Sequence, residues 1–261
     1  MKYSQIKKLS STKFKRLTGV NRRTYQLMVR KVKGKKAEHK KSGRPSELII
    51  EDQVLLVLQY WREYRTYFHI GQDFGVAEST ACRIVHKIEN ILIKSRLFSL
   101  PGKKKLLEPS GLKDLVIMDV MESPIEKPQI RQKAFYSGKQ KSHTLKTQVI
   151  VESQTLKIIC LAQGKGKTHD FRLLKASRVK FGKSLKVIAD KGYQGIAKIH
   201  ELSQTPVKKP KSGKLTSSRV CGREYSLPQH SSQKKYNREL NRLRIVVEHV
   251  NRRLKIFKIL L

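Results

Sequence analysis

Leu115–Val116–Ile117–Met118–Asp119–Val120–Met121 is an apolar run interrupted by one acid. Strand alternation puts Leu115, Ile117, Asp119 and Met121 on one face and Val116, Met118 and Val120 on the other. A carboxylate in such a strand is costly unless a cation pairs with it. Two further acids stand in comparable places. Asp190 ends the run Leu185–Lys186–Val187–Ile188–Ala189–Asp190, and Glu248 lies within Arg244–Ile245–Val246–Val247–Glu248–His249–Val250. The chain is otherwise strongly basic, with 58 Lys and Arg against 20 Asp and Glu. Three acids in apolar settings of such a chain point to divalent metal ions and phosphodiester chemistry.

The formal net charge of +38 recruits nucleic acid and makes that binding fall steeply with salt. Neither a basic amphipathic helix nor a lipid signal supports a membrane-surface role. No stretch approaches the roughly 18 apolar residues of a membrane span, and the N-terminus lacks the apolar core of a secretory signal. Cys82, Cys160 and Cys221 are too few and too scattered for a disulfide framework or a zinc knuckle. They read as reduced thiols of a cytoplasmic protein.

Along the chain, residues 1–45 read as a basic helical leader and linker, with Gly43 and Pro45 breaking structure. Residues 46–100 show helical spacing. Val54, Leu55, Leu58 and Trp61 form one helix face, Phe68–Phe74 a short second helix, Gly75 a tight turn and Glu78–Ile93 a third helix. Short helix, glycine turn and longer helix is the helix-turn-helix plan. Its second helix presents Ser79, Thr80, Arg83, His86 and Lys87, side chains suited to base edges and phosphates in a major groove. The bland alternative is a helical bundle for dimerisation.

After a linker at Pro101–Gly111 the pattern changes to strands. These are Leu115–Met121, a hairpin of His143–Val151 with Thr155–Leu161, and Leu185–Asp190. Thr168–Ser177 and Ile196–Leu202 read as helices, residues 206–235 as a polar loop, and Tyr236–Phe257 as the last helix. This order predicts an α/β domain over 112–261, a mixed sheet flanked by helices in the ribonuclease-H-like arrangement.

Each acid has a structural alternative. Asp119 fits an edge-strand ion pair, and Asp190 fits an Asx turn before Gly192. Glu248 fits an intrahelical pair with Arg244, Arg252 or Lys255. Asp170, in Thr168–His169–Asp170, is a rival second ligand or a helix cap. Glu122 reads as a base beside the site or a surface charge, and His143 and Lys146 as candidate phosphate contacts.

Several strings acquire meaning together. They are Gly43–Arg44–Pro45, Tyr64–Arg65–Thr66–Tyr67, Phe74–Gly75–Val76–Ala77–Glu78–Ser79–Thr80 and Asp119 followed by Glu122–Ser123–Pro124–Ile125. Further on come Tyr136–Ser137–Gly138–Lys139–Gln140–Lys141, His143–Thr144–Leu145–Lys146, Thr168–His169–Asp170, Asp190–Lys191–Gly192–Tyr193 and Val247–Glu248–His249 with Leu254–Lys255. In this order they resemble the bacterial insertion-sequence transposases of the Asp-Asp-Glu class, in the branch whose eukaryotic relatives are the Harbinger transposases. The resemblance covers residues 43–258. It implies a helix-turn-helix that recognises the element's terminal inverted repeats, followed by a ribonuclease-H-like catalytic domain. The family's three acids fall on Asp119, Asp190 and Glu248, at similar spacing. Two Mg²⁺ ions, which Mn²⁺ could replace, would be held there. DNA would be cut at the element's end and the freed 3′-hydroxyl joined to target DNA. Cutting paired ends implies a dimer or larger assembly on double-stranded DNA.

Two departures stand out. Val120 stands where relatives often have Gly, and the chain stops at Leu261, soon after Glu248. The latter implies a weakly anchored final helix. Two other functions share the basic surface: a DNA-binding regulator with a degenerate nuclease domain, and an endonuclease that cuts without joining.

Overall fold

The computed structural model describes residues 2–38, 45–108, 115–207, 218–220, 223–225 and 230–260. The chain forms two compact units, one of residues Met1–Ser99 with Arg253–Leu261 and the other of Leu100–Arg252. The expected linkers lie partly outside the described residues (39–44 and 109–114), as do most of the expected polar loop and Cys221. No helix among the described residues is long and apolar enough to cross a membrane.

The first unit is all helical. It contains α1 (Tyr3–Ile6), α2 (Ser11–Thr18), α3 (Arg22–Glu38), α4 (Ile50–Glu63), α5 (Tyr67–Phe74) and α6 (Glu78–Lys94). The helix starts have local causes. The Ser10 hydroxyl accepts from the Lys13 amide, and the Asn21 side chain accepts from the Thr24 amide. Instead of presenting one apolar face, α4 buries Val54, Leu55, Leu56, Val57 and Leu58 completely. It is the central helix of the unit, enclosed on all sides.

What encloses α4 corrects the reading of residues 1–45 as a leader. Phe14 is fully buried, and Tyr25 lies edge-on to it and donates its hydroxyl to the Glu51 carbonyl at 2.8 Å. The Tyr3 amide donates to Asp52 on α4 at 2.6 Å. Two aromatics in a basic stretch thus join the core of this unit. The C-terminal residues also join it, with the Phe257 ring packed against Gly19.

The turn between α5 and α6 is tight. Gly75 adopts φ +70°, and the Val76 amide donates back to the Gly71 carbonyl at 2.9 Å. A methyl group on Gly71 would stand 2.6 Å from the Val76 carbonyl oxygen. That obstacle is backbone, with no side chain to yield. Gly71→Ala is therefore expected to cost about 1–3 kcal/mol. The measurement is the urea midpoint of the intact protein, and an unchanged midpoint would refute this account of the turn.

The second unit is built on a six-stranded mixed sheet. Its strands are β1 (Leu115–Pro124), β2 (Tyr136–Ser137), β3 (Ser142–Glu152), β4 (Ile158–Lys165), β5 (Lys186–Ala189) and β6 (Ser203–Gln204). The order is β2-β3-β1-β5-β6, and β4 also pairs with β3. β3 runs antiparallel to β1, β2 and β4, whereas β1, β5 and β6 are parallel. The unit also holds helices α7 (Gln132–Phe135), α8 (Asp170–Ser177) and α9 (His230–Leu254), short 3-10 turns and a small hairpin of β7 (Ser218–Val220) with β8 (Arg223–Tyr225); the final residues of α9 belong to the first unit. This is the ribonuclease-H-like fold, with its antiparallel hairpin on one side of β1 and parallel strands on the other.

The strand alternation read in Leu115–Met121 governs the packing. Val116 and Met118 join Ile150, Val187, Leu174 and Tyr193 on one face. Ile117 joins Val149, Val151, Ile188, Leu240, Val247 and Val250 on the other, so α9 covers the face that carries Asp119. Leu240, Val247 and Val250 are all buried, which anchors the final helix and corrects the expectation of a loose one.

Two boundaries differ for visible reasons. β4 starts at Ile158, not Thr155, because Leu156 adopts φ +59° and the Thr155 hydroxyl turns back to Glu152. The helix expected over Ile196–Leu202 is one 3-10 turn, Ile196–Lys198. The chain returns from it to the sheet, with the His200 ring hydrogen-bonded to the Leu185 carbonyl at 2.5 Å.

Candidate active site

β1 and β5 are adjacent and parallel, so their carboxyl ends bring Asp119 and Asp190 to the same edge of the sheet. One side chain links the two acids. The Arg244 guanidinium on α9 lies 3.0 Å from Asp190 Oδ1 through Nη1 and 3.5 Å from Asp119 Oδ1 through Nη2. About two turns further along α9, Asn251 Nδ2 donates to Asp119 Oδ2 at 3.0 Å. The Arg244, Asp119 and Asp190 side chains are 12 %, 17 % and 37 % exposed. Burial pushes the Asp119 carboxyl up to about 6, and the Asp190 and Glu248 charges push the same way. The Arg244 charge and a hydrogen bond from the Val120 backbone pull against them.

Glu248 stands one turn beyond Arg244 on α9, on the flank away from Asn251. It is close enough for its charge to act on Asp119, yet its side chain is exposed. Among the described residues no group of three or more His, Cys, Asp or Glu side chains could hold a metal ion as it stands. The assembled part of the acid set is therefore the pair Asp119–Asp190. Two hard carboxylates sharing one cation suit a divalent ion better than a monovalent guanidinium. A buried Asn251 Oδ1 and a buried Arg244 Nε, both without hydrogen-bond partners, show that polar groups here are not fully satisfied.

Beside this pair is a cleft of about 430 Å³. Its lining includes Asp119, Glu122, Lys146, Asp170, Asp190 and Arg244, with Lys139, Lys167 and His169. Asp170, the rival ligand, lines the same cleft and is paired there with Lys146, whose Nζ lies 2.8 Å from its Oδ1. It stands in the first turn of α8 rather than at the cap, which is His169. Lys146 also lies 3.6 Å from Glu122, which accepts from the Thr144 hydroxyl at 3.2 Å. Lys146 is thus paired with two acids, and Glu122 is a partly buried ion-pair member rather than a surface charge. His143 is half-buried and lies edge-on to Tyr136.

Two residues of the site were missed in the sequence. Arg244 was readable only as an ion-pair partner for Glu248, and Asn251 gave no signal beyond its helical spacing from Arg244. On the helical unit, Ser79, Arg83, His86 and Lys87 are exposed and Thr80 partly so, while Ala81, Ile84, Val85 and Ile88 are buried. Arg83 is folded back on its own helix, with Nε donating to the Ser79 carbonyl at 3.1 Å and Nη2 to the Ser79 hydroxyl at 3.3 Å.

Comparison with known proteins fits this arrangement. Residues 118–261 match the DDE superfamily endonuclease family, and residues 46–97 match the helix-turn-helix of DDE superfamily endonuclease. The chain is similar to the probable transposase for insertion sequence element IS702 of Microchaete diplosiphon, 61 % identical over 260 residues, covering 100 % of this chain and 89 % of that protein. It is also similar to the putative transposase for insertion sequence element IS112 of Streptomyces albus G, 26 % identical over 246 residues, 93 % of this chain and 83 % of that protein. No solved structure matches. The chain belongs to the DDE superfamily endonucleases, and within them to the insertion-sequence transposases. It is a DNA-binding, divalent-metal-dependent nuclease of that family.

Proposed function

We propose that this transposase binds the terminal inverted repeats of its element through α6, cuts the DNA there, and joins the freed 3′-hydroxyl to target DNA. The observation that carries the reading is the pair Asp119–Asp190, held at one sheet edge by a single shared cation. Asp119, Asp190 and Glu248 would hold two Mg²⁺ ions, with Mn²⁺ able to substitute. Such ions supply a nucleophilic water at neutral pH and charge stabilisation at the scissile phosphate. The chain's own residues do the remaining work. β1 and β5 carry two of the acids on adjacent strands, and Glu248, exposed on α9, would have to turn inward to reach them. Lys139, Lys167 and His169 line the cleft with donors for the DNA backbone. Two copies acting on paired ends make a dimer or larger assembly.

The direct test is purified protein with terminal-repeat DNA, in Mg²⁺ and then in EDTA. Cutting and joining in Mg²⁺ alone supports the reading. DNA binding without cutting would favour a regulator, and cutting without joining an endonuclease.

Ser79, Thr80, Arg83 and Lys87 are the proposed DNA contacts of α6. For Arg83 to reach a base edge it must leave Ser79, an exposed and therefore weak attachment. Arg83→Ala is expected to weaken binding to the terminal repeat by about 1–3 kcal/mol and to relax preference at one base pair. Competition gel shifts with mutated repeats measure this. An equal loss on every sequence, with a shallower salt slope, would make Arg83 a phosphate contact instead.

A further inference from the structure

We infer that Arg244 is a resident cation of the acid pair: it holds Asp119 and Asp190 together before metal arrives and competes with the metal for the same oxygens. This rests on the proposed metal-binding role of the two acids. Both guanidinium contacts are made to Oδ1 atoms, 3.0 Å to Asp190 and 3.5 Å to Asp119. Each acid thus turns one oxygen to the same cation. Two carboxylates brought to one site repel each other, and with 17 % and 37 % exposure water screens them only in part. Arg244 supplies one positive charge against two negative ones, so the pair is assembled but under-compensated. Its grip is also incomplete. Nε is buried without a partner, and the Nη2 contact at 3.5 Å is long for a charge-assisted hydrogen bond.

An arginine placed only for structure would differ. It would have its donors satisfied, and its loss would lower stability equally with and without metal. An arginine that yields its place predicts the opposite pattern: removing it destabilises the metal-free protein and tightens metal binding. Arg244 is on this account a positioning residue, preserving the geometry of the acids so that the ion meets a formed site. Asn251 has a matching part, because its hydrogen bond to Asp119 Oδ2 leaves Oδ1 to the competing cations.

The experiment is calorimetric titration of full-length protein with Mn²⁺, without DNA, alongside melting curves with and without Mn²⁺. Arg244→Met is expected to bind Mn²⁺ roughly tenfold tighter or more, the scale of one lost charge-assisted competitor. Its melting temperature without metal should fall, and Mn²⁺ should raise it by more than in the wild type. Arg244→Gln, which keeps a donor but no charge, should shift affinity the same way and serves if the Met variant does not fold. Unchanged or weaker Mn²⁺ binding in the folded variant would overturn the inference. Asp119→Asn separates the two levels. If it abolishes Mn²⁺ binding to otherwise wild-type protein, the metal site stands whatever Arg244 does. If it leaves Mn²⁺ binding intact, the site assignment itself fails.

Discussion

Asp119→Asn, Asp190→Asn and Glu248→Gln should each lower cleavage of terminal-repeat DNA by roughly a thousandfold or more while sparing DNA binding. Charge stabilisation by a bound ion contributes several kcal/mol, and each 1.4 kcal/mol is tenfold in rate. The substitutions are nearly isosteric, so packing changes little, but each removes a negative oxygen that a divalent ion needs. Binding should be unchanged or slightly tighter, because a negative charge facing the DNA is gone. The three variants differ structurally. Asp119 contacts both Arg244 and Asn251, so its replacement disturbs α9 as well as the site. Glu248 is exposed and makes neither contact. Glu248→Gln is therefore the cleanest of the three, inactive yet as stable as the wild type. Retained cleavage in Glu248→Gln would sink the assignment of the third acid, and cleavage by Asp119→Asn would sink the site. Single-turnover cleavage and gel shift on the same preparations provide both readings.

Much of this site was legible in the sequence, and the limits are physical. Asp119 and Asp190 announce themselves because strands exclude charge, so an acid within or ending an apolar run needs an explanation. Helices announce less. Arg244, Glu248 and Asn251 share a side of α9, but helical spacing fits an internal Arg–Glu pair as well as a shared approach to the sheet. Only the packing of Val247 and Val250 on Ile117 and Val149 decides which way that side faces. The fold shows the same contrast. β1, β3 and β5 carry apolar runs long enough to be read, whereas β2 is two residues long and has none to show. Phe14 and Tyr25 were hidden by the basic residues around them, so residues 2–38 passed for a leader rather than part of a core. The partners of Lys146 were equally hidden. In sequence it is one more lysine in a basic chain, and its two acidic partners are distant in the chain.

Lys146 gives the largest expected effect on stability. Its ammonium lies between Asp170 and Glu122, and the three side chains are only 12 %, 23 % and 11 % exposed. Lys146→Met keeps length and apolar bulk but leaves two carboxylates in a shared, poorly solvated place. Removing one partner from a buried ion pair costs about 3–5 kcal/mol, which for a unit of this size lowers the melting temperature on the order of 10 °C. The damage should extend to the reaction. Asp170 abuts Gly192, where an added methyl group would run into its carboxylate, and Gly192 follows Asp190 in the turn that carries the second acid. A displaced Asp170 therefore loosens the turn that holds Asp190, and cleavage should fall even well below the melting temperature. Lys146→Arg should retain most of the stability, since the charge remains. Adding Glu122→Gln and Asp170→Asn to Lys146→Met should recover part of it by removing the repulsion. A Lys146→Met variant that melts like the wild type but binds DNA more weakly, with a shallower salt slope, would make this lysine a phosphate contact.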